Sequence, residues 1–251
     1  MNPGKKNIIA VCGKGGVGKT AVAALLSRAM IASGGGPLLM IDADPAGGLF
    51  SAIGEKTGKT LAGVREELIG SAREAGGAAK DELARRLDYM VMEALVERKG
   101  YALLAMGRSK DSRCFCPANT LLRDAVDVLA GSFRTVLIDA EAGLEQIQRR
   151  VTRNVSLTLA VTDGSVRSAN TIEAIAGMLE GKTLVVLANR IPEEAEIPLP
   201  VGIDLIGDIP EDPALAEFDR EGRSLWELPD DNPAVVAASA VADVITKISD
   251  A

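Results

Sequence analysis

The stretch Gly13-Lys14-Gly15-Gly16-Val17-Gly18-Lys19-Thr20, near the start of this 251-residue chain, decides the fold. It matches the pattern Gly-x-x-x-x-Gly-Lys-Ser/Thr, in which glycines let the backbone bend so that consecutive N–H groups point at phosphate oxygens. The helix expected after it presents its positive N-terminal end to the same anion. Lys19 is expected to reach the β- and γ-phosphates, and the Thr20 hydroxyl to bind Mg²⁺. The stretch therefore predicts a phosphate-binding loop for a nucleotide.

The segments around this loop predict an α/β fold. An apolar run over residues 7–12 predicts a buried strand, residues 20–33 have the composition of a helix, and residues 37–41 predict a second buried strand. A strand-helix-strand unit of this kind builds a parallel sheet. We expect one doubly wound domain over residues 1–251, with a mostly parallel sheet and helices on both faces. Further strands are predicted at 101–106, 135–138, 156–161, 183–188 and 203–206, and further helices within 57–99 and at 121–130, 165–179 and 232–248.

Composition narrows the classes of function. The net charge of -7 disfavours broad binding to a phosphate backbone, so nucleic acid is not an expected partner. The apolar runs are too short for a bilayer span and no secretory signal is visible, so we expect a cytoplasmic protein without a membrane partner. The odd number of cysteines, three, argues against a disulfide framework. Because histidine is absent, any metal site must use thiolate, carboxylate or backbone ligands.

Acidic side chains follow two of the predicted strands. Asp42 and Asp44 close the second strand, and Asp139 closes a later one. In a doubly wound sheet, ligands lie beyond the carboxyl ends of the strands, so these carboxylates should face the nucleotide. Carboxylate oxygen suits a magnesium ion and a polarised water. A role as a helix cap or turn residue is the alternative for each aspartate, and most of all for Asp42.

Two cysteines stand one residue apart in a polar loop, as Cys114-Phe115-Cys116-Pro117. Two thiolates supply half of the four ligands that a closed tetrahedral site requires. A symmetric dimer would bring together two copies of Cys114 and Cys116 around one soft metal ion. The alternative is a pair of unrelated thiols.

The second lysine of the loop carries a resemblance. With Lys14, the loop takes the deviant Walker A form Lys-Gly-Gly-x-x-Gly-Lys-Thr, and the chain resembles the ATPase family of MinD, ParA, the arsenite pump ATPase and the nitrogenase iron protein. The resemblance implies an ATPase in which Lys14 reaches across a dimer interface to the nucleotide of the partner. It therefore implies that an ATP-dependent homodimer is the working state.

The same resemblance implies roles for other residues. Asp44 is the switch I aspartate that orients the attacking water, and Asp42 supports the magnesium shell. Asp139 is the Walker B and switch II aspartate, with Gly143 following near the γ-phosphate. Lys14, Lys19, Asp44 and Asp139 thus form the implied catalytic set. Asn189 matches the position that contacts adenine, and the loop over residues 207–212, which includes Pro210, resembles the loop on the base side.

Longer stretches resemble one branch of the family, the CooC type of ATPase that assists nickel insertion into carbon monoxide dehydrogenase. They are residues 106–108, the Cys-Phe-Cys-Pro-Ala-Asn segment, Glu141-Ala142-Gly143 and residues 221–226. The resemblance implies an ATP-hydrolysing metallochaperone, with Ni²⁺ or Zn²⁺ at Cys114 and Cys116 and a metalloenzyme as client. Gln146 stands where that branch is expected to have histidine, which leaves the coupling to a client open.

Two other functions stay open. A positioning or partition ATPase like MinD or ParA predicts an amphipathic C-terminal helix or a basic surface, yet residues 235–248 are rich in Ala and Val with a single lysine. An electron-transfer ATPase like the nitrogenase iron protein uses cysteines far apart in sequence, whereas here the two candidates belong to one loop.

Overall fold

A mostly parallel β-sheet forms the central layer of the fold. The computed structural model describes residues 6–44, 46–74, 87, 89–108, 124, 126–140, 154–179, 182–192 and 196–250. Within these ranges the sheet has eight strands in the order β3-β4-β2-β5-β1-β6-β7-β8. Neighbouring strands are parallel except β3 and β4. The strands are β1 Asn7–Gly13, β2 Leu38–Asp42, β3 Val96–Arg98, β4 Tyr101–Ala105, β5 Thr135–Asp139, β6 Leu157–Thr162, β7 Thr183–Asn189 and β8 Asp204–Ile209.

Helices cover both faces of the sheet, which confirms the doubly wound α/β prediction. Alternate residues of β1 point to opposite faces, so Ile9 and Val11 pack with α1 and α6 while Ile8 and Ala10 pack with α3 and α4. Both sets are buried, which explains why β1 is apolar at nearly every position. The helices with described bounds are α1 Lys19–Ala32, α2 Gly48–Ala52, α3 Leu61–Glu74, α4 Val166–Met178, α5 Pro213–Glu221 and α6 Pro233–Asp250, with a 3₁₀ turn at Leu225–Glu227. Residues 89–94 and 126–130 are also helical.

The strand β3 corrects one prediction. Residues 57–99 were expected to be helical, but Val96–Arg98 form a strand antiparallel to β4. Gly100 has a φ of 91°, which allows the tight turn between the two strands. The Arg98 guanidinium donates to both carboxylate oxygens of Glu55, at 2.8 and 2.6 Å, so the strand is held by a partner far away in sequence.

The boundaries of the other predicted elements lie within two residues of the structure where they are described, with one exception. The strand predicted at 203–206 continues as β8 to Ile209, so residues 207–209 of the predicted base-side loop are strand. Ser165 caps α4 by accepting a hydrogen bond from the Ser168 N–H, and Asn232 caps α6 by accepting from Ala234 and Val235. Of the helix predicted at 121–130, residues 126–130 are helical and residues 121–123 and 125 lie outside the described residues. Within the described ranges, no helix combines the length and apolar content needed to cross a membrane.

The last part of the chain is fastened to α1. The Trp226 indole Nε1 donates to the Ala24 carbonyl at 2.7 Å, and the Arg28 guanidinium donates to the Leu228 carbonyl at 2.7 Å. Val241 and Ile245 of α6 are buried in the same cluster as α1. The helix that follows the phosphate loop is therefore held between the sheet and the C-terminal segment.

Candidate functional site

The central strands place the loop and the aspartates at one edge of the sheet. β1 lies between β5 and β6, so Gly13 at its end lies beside Val161, and Asp42 and Asp139 are register neighbours on β2 and β5. Since these strands are parallel, their carboxyl ends meet at a single edge. The sequence prediction that the loop and the two strand-end aspartates lie together agrees with this geometry.

Two glycines of the loop have conformations that a side chain would disrupt. Gly13 has a φ of 143°, and a Cβ added there would lie 2.5 Å from the Val161 carbonyl oxygen. Gly18 has a φ of 89°, and an added Cβ would collide with the Asn189 side-chain amide. Left-handed backbone and close approach thus both require glycine at these positions.

Lys19 and Thr20 begin α1 directly behind the loop. The Lys19 ammonium donates to the Lys14 carbonyl at 3.2 Å, and the Lys19 residue is buried. The Thr20 hydroxyl donates to Asp139 Oδ2 at 2.7 Å. The first turn of α1 therefore places a buried ammonium and a hydroxyl behind the loop. The hydroxyl contacts the Asp139 carboxylate at the end of β5.

Asp139 has a buried carboxylate oxygen that is available to a cation. The residue is 1% exposed, and Oδ1 has no hydrogen-bond donor among the described residues. Burial raises the pKa of Asp139 from 3.8 to about 7, the hydrogen bond from Thr20 opposes the rise, and the charge of Asp42 adds to it. A hard cation at this edge would stabilise the ionised carboxylate. An orphaned carboxylate oxygen next to a threonine hydroxyl fits Mg²⁺.

Asp42 has a different environment from Asp139. Its Oδ1 accepts from the Asp44 N–H at 3.2 Å, and its Oδ2 accepts from the Leu49 N–H at 2.9 Å. Burial raises the pKa of Asp42 to about 6, although these hydrogen bonds lower it. Asp42 thus ties the segment after β2 to the start of α2, which is the turn role considered from the sequence. Asp44 is half-buried, and its carboxylate accepts from the Ala46 N–H at 2.7 Å.

Lys14 is paired within its own chain. Its ammonium lies 2.6 Å from Asp163 Oδ2 and 3.2 Å from the Ser165 hydroxyl. Burial favours the neutral form of Asp163, but hydrogen bonds from Lys14, Ser165 and Ser168 outweigh it and hold the pKa of this carboxyl well below its usual range. Sequence reasoning missed Asp163, although it follows β6 at the same edge as Asp42 and Asp139, so the strand-end rule could have found it.

The end of β7 also contacts the loop. The Asn189 side-chain amide donates to the Val17 carbonyl at 2.7 Å, and the Arg190 guanidinium donates to the Gly16 carbonyl at 2.7 Å. The Arg190 N–H donates to the Ile209 carbonyl at 2.9 Å, which brings β7 to the residue before Pro210. Asn189 thus contacts the loop, and Pro210 directly follows the residue that accepts from the Arg190 N–H. Their roles on the base side stay predictions. No motif or strand-end pattern in the sequence indicated Arg190.

Three predicted site residues lie outside the described residues: Cys114, Cys116 and Gly143. Of the cysteines, the structure describes Cys12, which is fully buried in β1. Burial raises the pKa of the Cys12 thiol to about 12, so this residue is a small apolar core side chain and not a thiolate ligand. Among the described residues, no group of three or more acidic or cysteine side chains could hold a metal ion.

The sequence is similar to known nucleotide-binding proteins. Residues 8–225 match the CobQ/CobB/MinD/ParA nucleotide binding domain. An uncharacterised ATP-binding protein of Methanocaldococcus jannaschii is 39% identical, over 95% of this chain and 98% of its own. The carbon monoxide dehydrogenase accessory protein CooC of Rhodospirillum rubrum is 34% identical, over 88% of this chain and 89% of its own.

The fold has solved counterparts. The MinC:MinD cell division protein complex of Aquifex aeolicus contains a chain that matches with a TM-score of 0.70 and 24% identity, over 96% of both chains. At this identity the similarity shows the fold alone, and that fold is the P-loop α/β architecture derived above. From the family match and the phosphate-loop edge together, this chain belongs to the CobQ/CobB/MinD/ParA family of nucleotide-binding P-loop ATPases.

Proposed function

We propose that this ATPase is a metallochaperone that assists nickel insertion into carbon monoxide dehydrogenase or a related metalloenzyme. The observation that carries the proposal is the Cys114-Phe115-Cys116 pair in a chain that has no histidine and has a complete phosphate loop. The relative whose name refers to carbon monoxide dehydrogenase, at 34% identity, supports the same client class. In this proposal each protomer supplies two thiolates, and a dimer completes a four-thiolate site for Ni²⁺ or Zn²⁺.

Hydrolysis would use the residues gathered at the sheet edge. The loop N–H groups, from Gly13 onward, and the Lys19 ammonium would hold the phosphates of ATP. Thr20 and Asp139 would hold Mg²⁺, which would neutralise charge between the β- and γ-phosphates. Asp44 would orient the attacking water, which is the role that the family resemblance implies for it. In this arrangement Asp42 holds the segment between β2 and α2. The Oδ1 atom of Asp139 stays available for the cation.

The dimer would form around the nucleotide. In this proposal Lys14 leaves Asp163 and reaches the nucleotide of the partner, while Gly143 approaches the γ-phosphate in its own protomer. On the base side, Asn189 and the backbone near Pro210 would border adenine. ATP binding would bring the two cysteine pairs together, and hydrolysis would separate them during delivery of the metal.

Metal binding with and without nucleotide tests the proposal. Equilibrium dialysis of anaerobically purified protein against Ni²⁺ and Zn²⁺ should give one metal ion per two chains in the presence of MgATP. Analytical ultracentrifugation of the same samples should show the dimer. The double variant Cys114→Ser/Cys116→Ser should lose the metal but retain ATP hydrolysis, because neither cysteine belongs to the phosphate-loop sequence or to the strand-end aspartates.

A matched control uses the third cysteine. Cys12→Ala also removes one thiol, yet Cys12 is buried in β1 and should leave metal stoichiometry unchanged. Absence of stoichiometric metal in the parent protein, or equal binding in the double serine variant, would exclude the metallochaperone proposal. Visible absorption after iron and sulfide reconstitution would instead favour the electron-transfer alternative.

The positioning-ATPase alternative makes a different prediction. It requires MgATP-dependent co-sedimentation with anionic liposomes or DNA. The apolar residues Ala234, Val241 and Ile245 of α6 are buried against α1 and β8, so this side of the helix is already covered by protein. We therefore expect no liposome binding, and binding that depends on MgATP would support the alternative.

A further inference from the structure

Arg190 has an uncommon backbone conformation directly after β7. Its φ is 57°, in the left-handed region where residues other than glycine, asparagine and aspartate are uncommon. The same residue makes two contacts. Its N–H donates to the Ile209 carbonyl at 2.9 Å, and its guanidinium donates to the Gly16 carbonyl at 2.7 Å. Arg190 therefore connects the ends of β7 and β8 to the middle of the phosphate loop.

The contact with Gly16 is one of a pair. Asn189 donates to the Val17 carbonyl, so adjacent residues of β7 and its turn bind adjacent carbonyls of the loop. The peptide unit is planar and trans, and its C=O and N–H point in opposite directions. A donor on the Gly16 carbonyl thus sets the direction of the Val17 N–H, and a donor on the Val17 carbonyl sets that of the Gly18 N–H.

The direction of these N–H groups matters for an anion. A loop that binds phosphate must present N–H groups and turn its carbonyl oxygens away, since a carbonyl facing the anion would repel it. The Val17 N–H contacts the Lys14 carbonyl at 3.5 Å, which is at the long limit of a hydrogen bond. A phosphate oxygen would be a stronger acceptor for it.

We infer that Arg190 is a positioning residue for ATP: it fixes the Gly16–Val17 peptide so that the Val17 N–H faces the phosphates. The inference rests on the proposed role of the phosphate loop and adds the residue that orients part of it. Arg190 acts through the loop backbone, so its loss should weaken nucleotide binding and leave the chemical step largely intact. Strained conformations of this kind persist where the surrounding structure requires them.

Three variants at one position test the inference. Arg190→Asn keeps a residue that tolerates the left-handed conformation but is too short to reach Gly16. It should raise KM for ATP about tenfold with kcat nearly unchanged, as expected for loss of a hydrogen bond from a charged donor. Arg190→Lys retains the cation and much of the reach, so it should recover most of the parent KM. Arg190→Gly relieves the backbone completely and should match Arg190→Asn.

A direct measurement follows the two amides. In ¹H–¹⁵N spectra of the full chain, MgADP should shift the Val17 and Gly18 amide signals of the parent. In Arg190→Asn the Val17 shift should be strongly reduced, while the Gly18 shift stays because Asn189 still holds that peptide. A merely structural role in the turn between β7 and β8 would change both signals or neither.

Lys19→Ala serves as the reference for the proposed site. The inference is overturned if Arg190→Asn and Arg190→Gly keep the parent KM and the parent Val17 shift while Lys19→Ala abolishes hydrolysis. In that outcome the phosphate loop stands and Arg190 has no role in it. If Lys19→Ala hydrolyses ATP normally, the proposed site is wrong and the inference fails with it.

Discussion

Lys14 and Asp163 form an ion pair with 2.6 Å between the ammonium and the carboxylate, and each side chain is about one-third exposed. The lysine that the deviant Walker A pattern assigns to the nucleotide of a partner is thus held inside its own protomer. If it is to act in a dimer, it must exchange Asp163 for phosphate.

Asp163→Asn should favour the MgATP-bound dimer. The variant removes the charge that competes for Lys14, so the protein concentration at half-dimerisation should fall by about three- to tenfold, in line with the loss of one partly exposed ion pair. Sedimentation velocity with a non-hydrolysable ATP analogue measures this protein concentration. Lys14→Ala/Asp163→Asn is the control, since without Lys14 the second change should have no effect. Equal dimerisation of Asp163→Asn and the parent would contradict the prediction.

The same variant gives a defined pH dependence. Because the folded pKa of Asp163 lies below its ordinary value of 3.8, the ionised carboxylate stabilises the fold at every pH above that value. This contribution is lost only as the pH falls below it. The free energy of urea unfolding should therefore be lower in Asp163→Asn by the same amount between about pH 7 and pH 5. A difference that shrinks within this interval would show that Asp163 titrates higher than the structure indicates.

Asp139→Asn should separate stability from activity. The change removes a buried charge with an orphaned oxygen and leaves an amide oxygen for the Thr20 hydroxyl. We expect the free energy of unfolding without Mg²⁺ to rise by about 1 kcal/mol. The rate of ATP hydrolysis should fall by about 10²-fold or more, because the phosphate site would lose a ligand of the proposed Mg²⁺ ion. Urea unfolding in EDTA and a phosphate-release assay measure the two effects, and a variant that is both less stable and fully active would refute the assignment.

Gly18→Ala should be far more damaging than Gly15→Ala. At Gly18 the φ of 89° disfavours a side chain, and the new Cβ would displace the Asn189 amide from Val17. A left-handed conformation alone costs an L-residue about 1–2 kcal/mol. At Gly15 an added Cβ meets nothing within 4 Å, which makes it the matched control. Thermal unfolding of both variants without nucleotide should show a lower midpoint for Gly18→Ala only.

Thiol titration should distinguish the buried cysteine from the pair. Cys12 is fully buried and its pKa is raised to about 12, so it should not react with a disulfide reagent in the native protein. Cys114→Ser/Cys116→Ser should then show no native reaction and one thiol after denaturation. Cys12→Ala should react natively to the same extent as the parent. Rapid native labelling of the double serine variant would contradict the placement of Cys12.

Part of the fold follows from sequence alone, and β1, α1 and β2 show why. Their predicted boundaries differ from the structure by at most one residue at each end, because apolar runs and clustered glycines mark them locally. The strand β3 was missed since Glu97 and Arg98 look helical in isolation. The strand forms through pairing with β4 and the Arg98–Glu55 contact, which no local pattern encodes.

The candidate site divides in the same way. Lys19 and Thr20 could be predicted because they belong to a short local motif, and Asp139 because it follows an apolar run that predicts a strand. Arg190 and Gly16 are in contact although 174 positions separate them in the sequence. Lys14 and Asp163 are paired across a separation of 149 positions. Such partners depend on which strand ends lie side by side, and that order is visible only once the sheet is built.

The C-terminal segment has a practical consequence for work on the isolated ATPase region. The family match stops at residue 225, one residue before Trp226 binds the Ala24 carbonyl. A fragment trimmed to that limit would lose α6 and expose the side of α1 that Val241 and Ile245 cover. A recombinant fragment that ends at the limit of the family match would therefore expose an apolar surface of α1 and would be prone to aggregate. Expression boundaries for this protein should be drawn from its packing instead.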